Sequence, residues 1–408
     1  MNPRIVISES ATFEESYAAY ELRYMIAQLF NVIPPIVTDG EQAMEEDVCI
    51  GATNRSSQIP TGDNYNVYTR DGTVYLAAGS AYGYEAAIAK LKSYLQENGG
   101  FQKDLNLTGN GAAYKTCGTA AEGQVRFMTY NVYGWATNYA KNTTGRRQPL
   151  QISMIGTYQP DIIAFQEFSS DHITDGYRSE TFLNELKALG YAEVGNGELR
   201  NVDGRNLTPL FYKTDVFTVL DSGYLLFSGA NDNNTKSVTW AVLEHTNGKK
   251  LIAMSTHFMY NKDGVDHTDT RLSNVAKLTA VIAQIRNSKT EYADLHVIMG
   301  GDLNCSYNGG SAPLTALEAT LTAAQSAAST AGCAINALGG HNSTYACYDT
   351  QYSVFVTCPS HTGVAGDAID HIFYSGNLKI TSFATLTDRF ASYASDHSPK
   401  LVDFTFGT

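Results

Sequence analysis

Long apolar runs are missing from this sequence: none approaches the ~18–20 residues that a helix needs to cross a bilayer. The opening MNPRIVISESATFEESY has no apolar core of a signal peptide. The expectation is therefore a chain without a membrane span, either cytoplasmic or relieved of a leader. Basic residues are scarce, with 28 Lys and Arg against 41 Asp and Glu and a net charge of -13. Sequence-indifferent binding to nucleic acid rests on many Lys and Arg contacts to phosphates, so a module of that kind is excluded. A nuclease with a small basic groove and a divalent cation is not, because the ion brings its own positive charge. The six cysteines form no CxxC pair, which argues against a structural zinc site. Cys347 and Cys358 flank a Gly-, Ser- and Thr-rich loop and either pair or stay free like the rest. Internal repeats and low-complexity tracts are also lacking.

What is present is a globular composition, 43% hydrophobic and 17% charged, over 408 residues. That length exceeds what one core usually organises and predicts two domains. The first, residues 1–101, reads as a small α+β unit. Ile5–Ile7 starts a strand, and Ala18, Leu22, Ile26 and Leu29 then recur at helical spacing. Val48–Ile50 is a short apolar run closed by Gly51. Val67–Leu76 holds Asp71-Gly72 between apolar flanks, the signal of a tight hairpin. Tyr84, Ile88, Leu91 and Leu95 mark a second helix ending near Gly99-Gly100, which gives the order β-α-β-β-β-α. Residues 102–123 are small, polar and Gly-rich, and read as a linker. In residues 124–408 short apolar strands alternate with helices. Helical spacing is clear in Phe182, Leu186 and Leu189, and again in Leu272, Val275, Leu278, Ile282 and Ile285.

The second region repeats one pattern, an apolar run followed by a polar group useful to phosphate chemistry. VRFMTYN ends on Asn131, DIIAFQE on Glu167 and LIAMSTH on His257. LHVIMGGDLN delivers Asp302 and Asn304, AIDHIF carries Asp370, and SDHSP presents Asp396 and His397 before the last apolar strand. The runs have the length of buried strands, and sites are commonly built where strands open onto loops. Taken singly, each residue has an ordinary explanation: Asn131 as a turn former, Glu167 as surface, His257 as a bonded core histidine. Asp302 and Asn304 would be a local turn, Asp370 a cap, and Asp396 the start of a turn. The ordered series on successive strand ends is much harder to obtain by chance.

In order and spacing, TYNVYGW, PDIIAFQE, STHFM, GGDLN, AIDHIF and SDHSPKL resemble the motifs of the endonuclease/exonuclease/phosphatase superfamily. The resemblance covers residues 122–408. It implies a four-layered α/β sandwich, two packed mixed sheets with helices outside and the active site at one edge. It also implies Mg²⁺ or Mn²⁺ as cofactor, with Glu167 and Asp396 as ligands and Asn131 in support; Mg²⁺ takes oxygen ligands and needs only one or two carboxylates. Asp302 would position and deprotonate the attacking water, and Asn304 would bond the phosphate. His397 would stabilise the transition state with Asp370 fixing its orientation. His257 matches a second histidine of the deoxyribonuclease and phosphatase branches. Asn206 is nominated for the hydroxyl or Arg that completes such sites.

Departures from the family pattern narrow the reading. The inositol phosphatases carry WCDR where this chain has AIDHIF, and His371 replaces the common Tyr or Arg. Cys305 beside Asn304 is the alternative nucleophile, but no neighbour in the sequence is arranged to lower its pKa. The expected reaction is phosphodiester hydrolysis; a phosphomonoesterase on sugar or inositol phosphates, or a sphingomyelinase-like hydrolase of phospholipid head groups, is the alternative. A non-enzymatic alternative is an extracellular binding protein that uses the fold as scaffold. The helix ending in YELRYMIAQLF, the segment DVCIGAT and YLAAGSAYGYEAAIAKLKSYL resemble the non-catalytic α/β domain that precedes some glycoside hydrolase barrels. That implies proximity to glycans or a cell surface. Low Lys content with abundant Tyr, Asn, Thr and Gly points to a secreted bacterial protein.

Overall fold

A computed structural model of the protein describes residues 3–134, 144–168, 182–197, 208–228, 236–262, 264–308, 311–337, 346–349, 354–357 and 368–407. It divides into two compact units, Met1–Lys115 with Tyr348–Val356, and Thr116–Cys347 with Thr357–Thr408.

In the first unit β1 (Arg4–Ile7), α1 (Phe13–Phe30), β2 (Ile36–Thr38), β3 (Asp47–Ile50), β4 (Asn64–Arg70), β5 (Thr73–Ala78), α2 (Ala81–Asn98) and β6 (Asn106–Asn110) follow one another. The sheet order is β2-β1-β3-β5-β4-β6. Thr12 caps α1 through a reciprocal bond pair with Glu15, satisfying amides that the helix start leaves open. The Asp71-Gly72 hairpin is present, with φ of 52° and 80° at its two turn residues. Both helices lay Leu22, Ile26, Ile88 and Leu91 on Ile5, Val48, Val67 and Leu76. Two expectations need correction. The expected element order missed β2, whose three residues are too short to show a period. The expected linker contains β6, which pairs with β4 from Asn106↔Tyr68 to Asn110↔Asn64. Its polar sequence NLTGN hides an edge strand that buries little side chain.

Among the described residues the rest of the chain forms two sheets of the second unit and a small ribbon that falls mostly in Tyr348–Val356. The elements are β7 (Val125–Asn131), α3 (Thr144–Tyr158), β8 (Ile162–Gln166), α4 (Phe182–Ala188), β9 (Tyr191–Glu193), β10 (Leu210–Lys213), β11 (Phe217–Leu226), β12 (Ser237–His245), β13 (Lys250–His257) and α5 (Thr268–Ser288). Next come β14 (His296–Asp302), α6 (Ala312–Glu318), β15 (Thr322–Ala323), α7 (Ala324–Thr330), β16 (Ala334–Ile335), β17 (Ala346–Asp349) and β18 (Val354–Thr357). The chain closes with β19 (Asp370–Ser375), β20 (Leu378–Thr385), α8 (Arg389–Ala394) and β21 (Lys400–Phe406). One sheet runs β16-β20-β21-β7-β8-β10-β9 and the other β11-β12-β13-β14-β19-β15, while β17 and β18 pair alone.

Alternation along the strands builds the layers. Phe127, Ala164, Ala253, Ile298, Ile372 and Val402 meet between the sheets. Outer faces are covered by helices: Met154 and Ile155 lie over Met128 and Ile163, and Leu278 and Ile282 over Met254 and Met299. This is the expected four-layered sandwich. Gly300 lets the sheets approach closely beneath the site, since a Cβ there would stand 2.6 Å from Thr129 Cβ and 2.7 Å from Phe127 Cε1. Among the described residues no helix is long and apolar enough to cross a membrane.

Candidate active site

Strand direction brings the polar residues together. β7 and β8 are parallel and end at one edge, where the antiparallel β21 begins. In the facing sheet β13 and β14 are parallel and end at the corresponding edge, where the antiparallel β19 begins. His257 is in register with Asp302, and Asp302 with Asp370, so three adjacent strands present the three side chains in one row. Asp370 thus opens its strand instead of closing it. Tyr133, Glu167 and Asn304, just past the ends of β7, β8 and β14, have φ of 53°, 55° and 50°. Non-glycine residues pay a conformational cost there, and such residues cluster at functional sites.

Asn131 is fully buried at the centre. Its Nδ2 donates to Glu167 Oε1 at 3.3 Å and to Asp302 Oδ2 at 3.0 Å, and its Oδ1 accepts from Tyr133 N at 3.0 Å. Asp302 Oδ1 accepts from Asn304 N at 3.0 Å. His397 reaches Asp370 Oδ2 through Nδ1 at 2.8 Å and turns Nε2 toward Asp302 Oδ2 at 3.8 Å. Ser395 ties the two sides, donating from Oγ to Asn131 O at 2.7 Å and accepting from His397 N at 3.1 Å. On the far side, His257 Nε2 lies 2.6 Å from Lys236 Nζ, 3.1 Å from Asn304 Nδ2 and 3.3 Å from Asp302 Oδ2. Asn304 Nδ2 also donates to Phe258 O at 3.0 Å.

Electrostatics follow from burial and neighbours. Burial would raise Asp302, but His257, His397 and Lys236 outweigh it and hold the carboxyl far below the usual range. Burial likewise opposes charge on His397, yet Asp370 and Asp302 raise it well above an ordinary histidine. Asp370 itself is raised by burial, with His397 opposing. Burial pushes Asp396 up to about 6, with His397 opposing and the Glu167 charge adding to the rise. Lys400, fully buried behind Asp370, is lowered by burial to about 8 and donates to Thr385 Oγ1 at 2.9 Å.

A divalent cation fits this donor set. The charge of the half-buried Glu167 adds to the rise of the buried Asp396, and hard cations are bound by such oxygen ligands. Ligand atoms of Glu167, His257 and Asp302 lie within 4.8 Å of one another, as do those of Asp302, Asp370 and His397. Of the two histidines in these groups, His257 is engaged with Lys236 and His397 with Asp370.

Eight of the nine residues expected from the sequence therefore converge; Asn206 lies outside the described residues. So does Cys358, and nothing is described of the Cys347 side chain; Cys49, Cys117, Cys305 and Cys333 are free thiols. Burial raises the Cys305 thiol to about 12, against a nucleophilic role. His371 donates from Nε2 to Cys305 O at 2.9 Å and is lowered by burial to about 4, so it packs as a neutral ring. One residue missed in the sequence is Lys236. Its signal was a strand pairing: Asn247-Gly248 joins β12 to β13, and counting back from the turn sets Ser237 opposite His257.

A two-sheet sandwich with carboxylates, an amide and paired imidazoles at one edge defines a class of phosphoric ester hydrolases. The chain belongs to the Endonuclease/Exonuclease/phosphatase family, which matches residues 128–397; it is an enzyme of that class, whose members generally depend on a divalent metal. A mannosyl-6-phosphatase from Bacteroides thetaiotaomicron VPI-5482 shares the fold at 19% identity and a TM-score of 0.51, covering 69% of this chain and 100% of its own. A further endonuclease/exonuclease/phosphatase family protein from Bacteroides thetaiotaomicron aligns at 19% identity and a TM-score of 0.50, covering 70% of this chain and 98% of its own. No curated protein matches the chain.

Proposed function

We propose that the second unit hydrolyses a phosphodiester with Mg²⁺ or Mn²⁺ and a water held at Asp302. The observation that carries this reading is the in-register row His257, Asp302 and Asp370, completed by the 2.8 Å bond from His397 to Asp370. Glu167 and Asp396 would hold the cation beside Asn131, and the cation would supply positive charge against the phosphate oxygens. Asp302, kept ionised by its cationic neighbours, accepts a hydrogen bond from the water and aligns it. A carboxylate held that low is a weak base, so alignment is its larger contribution. His397, kept cationic by Asp370, donates from Nε2 to the phosphoryl oxygen as charge develops. Asn304 and His257 line the opposite side.

A second reading has its own observation. Lys236, only 6% exposed, adds an ammonium beside His257, and extra positive charge favours the dianion of a phosphomonoester. A sugar phosphate, as in the name of the mannosyl-6-phosphatase that shares the fold, is the substrate class this reading favours. For the first unit we propose an accessory role near extracellular glycans, supported by its resemblance to domains of glycoside hydrolases; retention of the full chain on immobilised polysaccharide would support it, and no retention on any would remove it.

The test is cleavage of bis-p-nitrophenyl phosphate and p-nitrophenyl phosphate, each with EDTA and then with added Mg²⁺ or Mn²⁺. Metal-dependent cleavage favouring the diester supports the first reading, and a monoester preference the second. Equal cleavage with EDTA present would remove the metal from both.

A further inference from the structure

We propose that Arg147, with Gln151, is a positioning residue that locks the Asn131 side of the site to the Asp396–His397 side; this rests on the phosphoesterase reading above. Both residues are fully buried on α3, one turn apart on the same face. Arg147 donates from Nη1 to Val132 O at 2.7 Å and to Ala394 O at 3.0 Å, and from Nη2 to Tyr133 O at 2.7 Å. Gln151 Nε2 donates to two of the same carbonyls, Val132 O at 3.2 Å and Ala394 O at 3.1 Å. Val132 and Tyr133 immediately follow Asn131, and Ala394 immediately precedes Ser395-Asp396-His397.

The fork thus spans two loops that come from distant parts of the chain. It also holds the carbonyl of Tyr133, a residue with φ of 53°, and its guanidinium lies 5.3 Å from the centre of that ring. A strained backbone persists where its surroundings over-determine it, and a planar fork that bonds several carbonyls at once does this better than an ammonium. Catalytic groups must stay within a fraction of an ångström of their working positions. Arg147 bonds the main chain beside the reacting groups, so it acts through Asn131, Asp396 and His397.

Arg126, at the other end of β7, is the control: it is equally a buried arginine, paired with Asp403 far from the site. In the full chain, Arg147→Met is expected to lower diester turnover ~30–100-fold, the scale of a misplacement near 1 Å, and to weaken Mn²⁺ binding in calorimetry. Deuterium exchange should accelerate in peptides spanning 128–134 and 393–399 but not in 250–256. Arg147→Lys should recover part of the loss. Gln151→Leu, which leaves every carbonyl a donor, should move the same readouts by about threefold. Arg126→Met should lower the melting temperature without these changes. Turnover and exchange in Arg147→Met equal to wild type, or the same pattern in Arg126→Met, would overturn the proposal. If wild type cleaves no phosphoester with any metal, the functional reading fails, while the exchange pattern still decides whether the fork locks the two loops.

Discussion

Strand β7 has two ends that treat charge in opposite ways. At its start Arg126 sits in register with Asp403, and the pair closes through two bonds of 2.7 Å each. Arg126 Nη1 goes on to Gly118 O at 2.8 Å and Tyr158 O at 3.0 Å. Every strong donor there has an acceptor placed for it. At the far end Asn131 stands among Glu167, Asp302 and His397, where one carboxyl is held down, another is pushed up, and a histidine is kept cationic. The first arrangement is complete without any further group. The second is left out of balance, and perturbed titration of this kind is what acid, base and ligand roles require.

The largest test of the contrast is to break the complete end. Asp403→Asn would leave the Arg126 guanidinium buried without its charge partner, a change that typically costs ~3–5 kcal/mol. Urea unfolding should show that loss, with turnover per folded molecule unchanged. A parallel fall in turnover would mean the two ends are not independent.

At the open end His397→Ala should lower turnover per folded molecule by a factor on the order of 10². Asp370→Asn sharpens the same point through pH. His397 is raised above its ordinary value, so its charged form and the stability it contributes are complete below pH 6.5 and are lost as pH climbs through the raised value. Activity that needs the cation should fall on the alkaline side, and Asp370→Asn should move that fall to lower pH. An alkaline limb that stays in place would remove Asp370 from the role.

Asp396→Asn should have the opposite sign. Its carboxyl rises from 3.8 to about 6 on folding, so its contribution is complete below pH 3.8 and is lost as pH rises through about 6. At pH 7.5 the metal-free variant should therefore be more stable than wild type by ~2–3 kcal/mol, because each tenfold change in proton affinity is worth ~1.4 kcal/mol. Added Mg²⁺ should stabilise wild type and leave the variant nearly unmoved, as thermal melts would show. A metal-free variant less stable than wild type would count against Asp396 as a ligand.

The site was legible wherever a side chain closed an apolar run, as Asn131, Glu167, His257 and Asp302 do, because a strand end fixes both the position and the direction of what it carries. Asp370 and His397 were equally visible as residues, but their pairing depends on β19 and β21 lying in different sheets, which no local pattern records. Lys236 and Arg147 were missed for related reasons. Lys236 precedes a strand and needs the β12–β13 register to be seen; Arg147 sits in a polar helical stretch whose partners are carbonyls, and carbonyls leave no mark in a sequence. In the first unit β2 was too short and β6 too polar to read as strands.

Cys305→Ser sets the lower bound of these effects. The thiol lies within the core beneath α6, among Leu303, Leu314 and Leu317, and burial raises it to about 12. At neutral pH it is protonated and carries no nucleophile, and what it lends the site is its main-chain oxygen, which accepts from His371. A serine keeps that oxygen and replaces a small apolar group with a hydroxyl, costing ~1 kcal/mol of stability if the hydroxyl lacks a partner. Diester turnover should stay within about twofold of wild type, the scale of a substitution that leaves acid–base chemistry untouched. Iodoacetamide should leave wild-type turnover equally unmoved. Complete loss of activity in the serine variant, with its fold intact by circular dichroism, would mean that the sulfur takes part in the reaction and that a metal-assisted water at Asp302 is not the nucleophile.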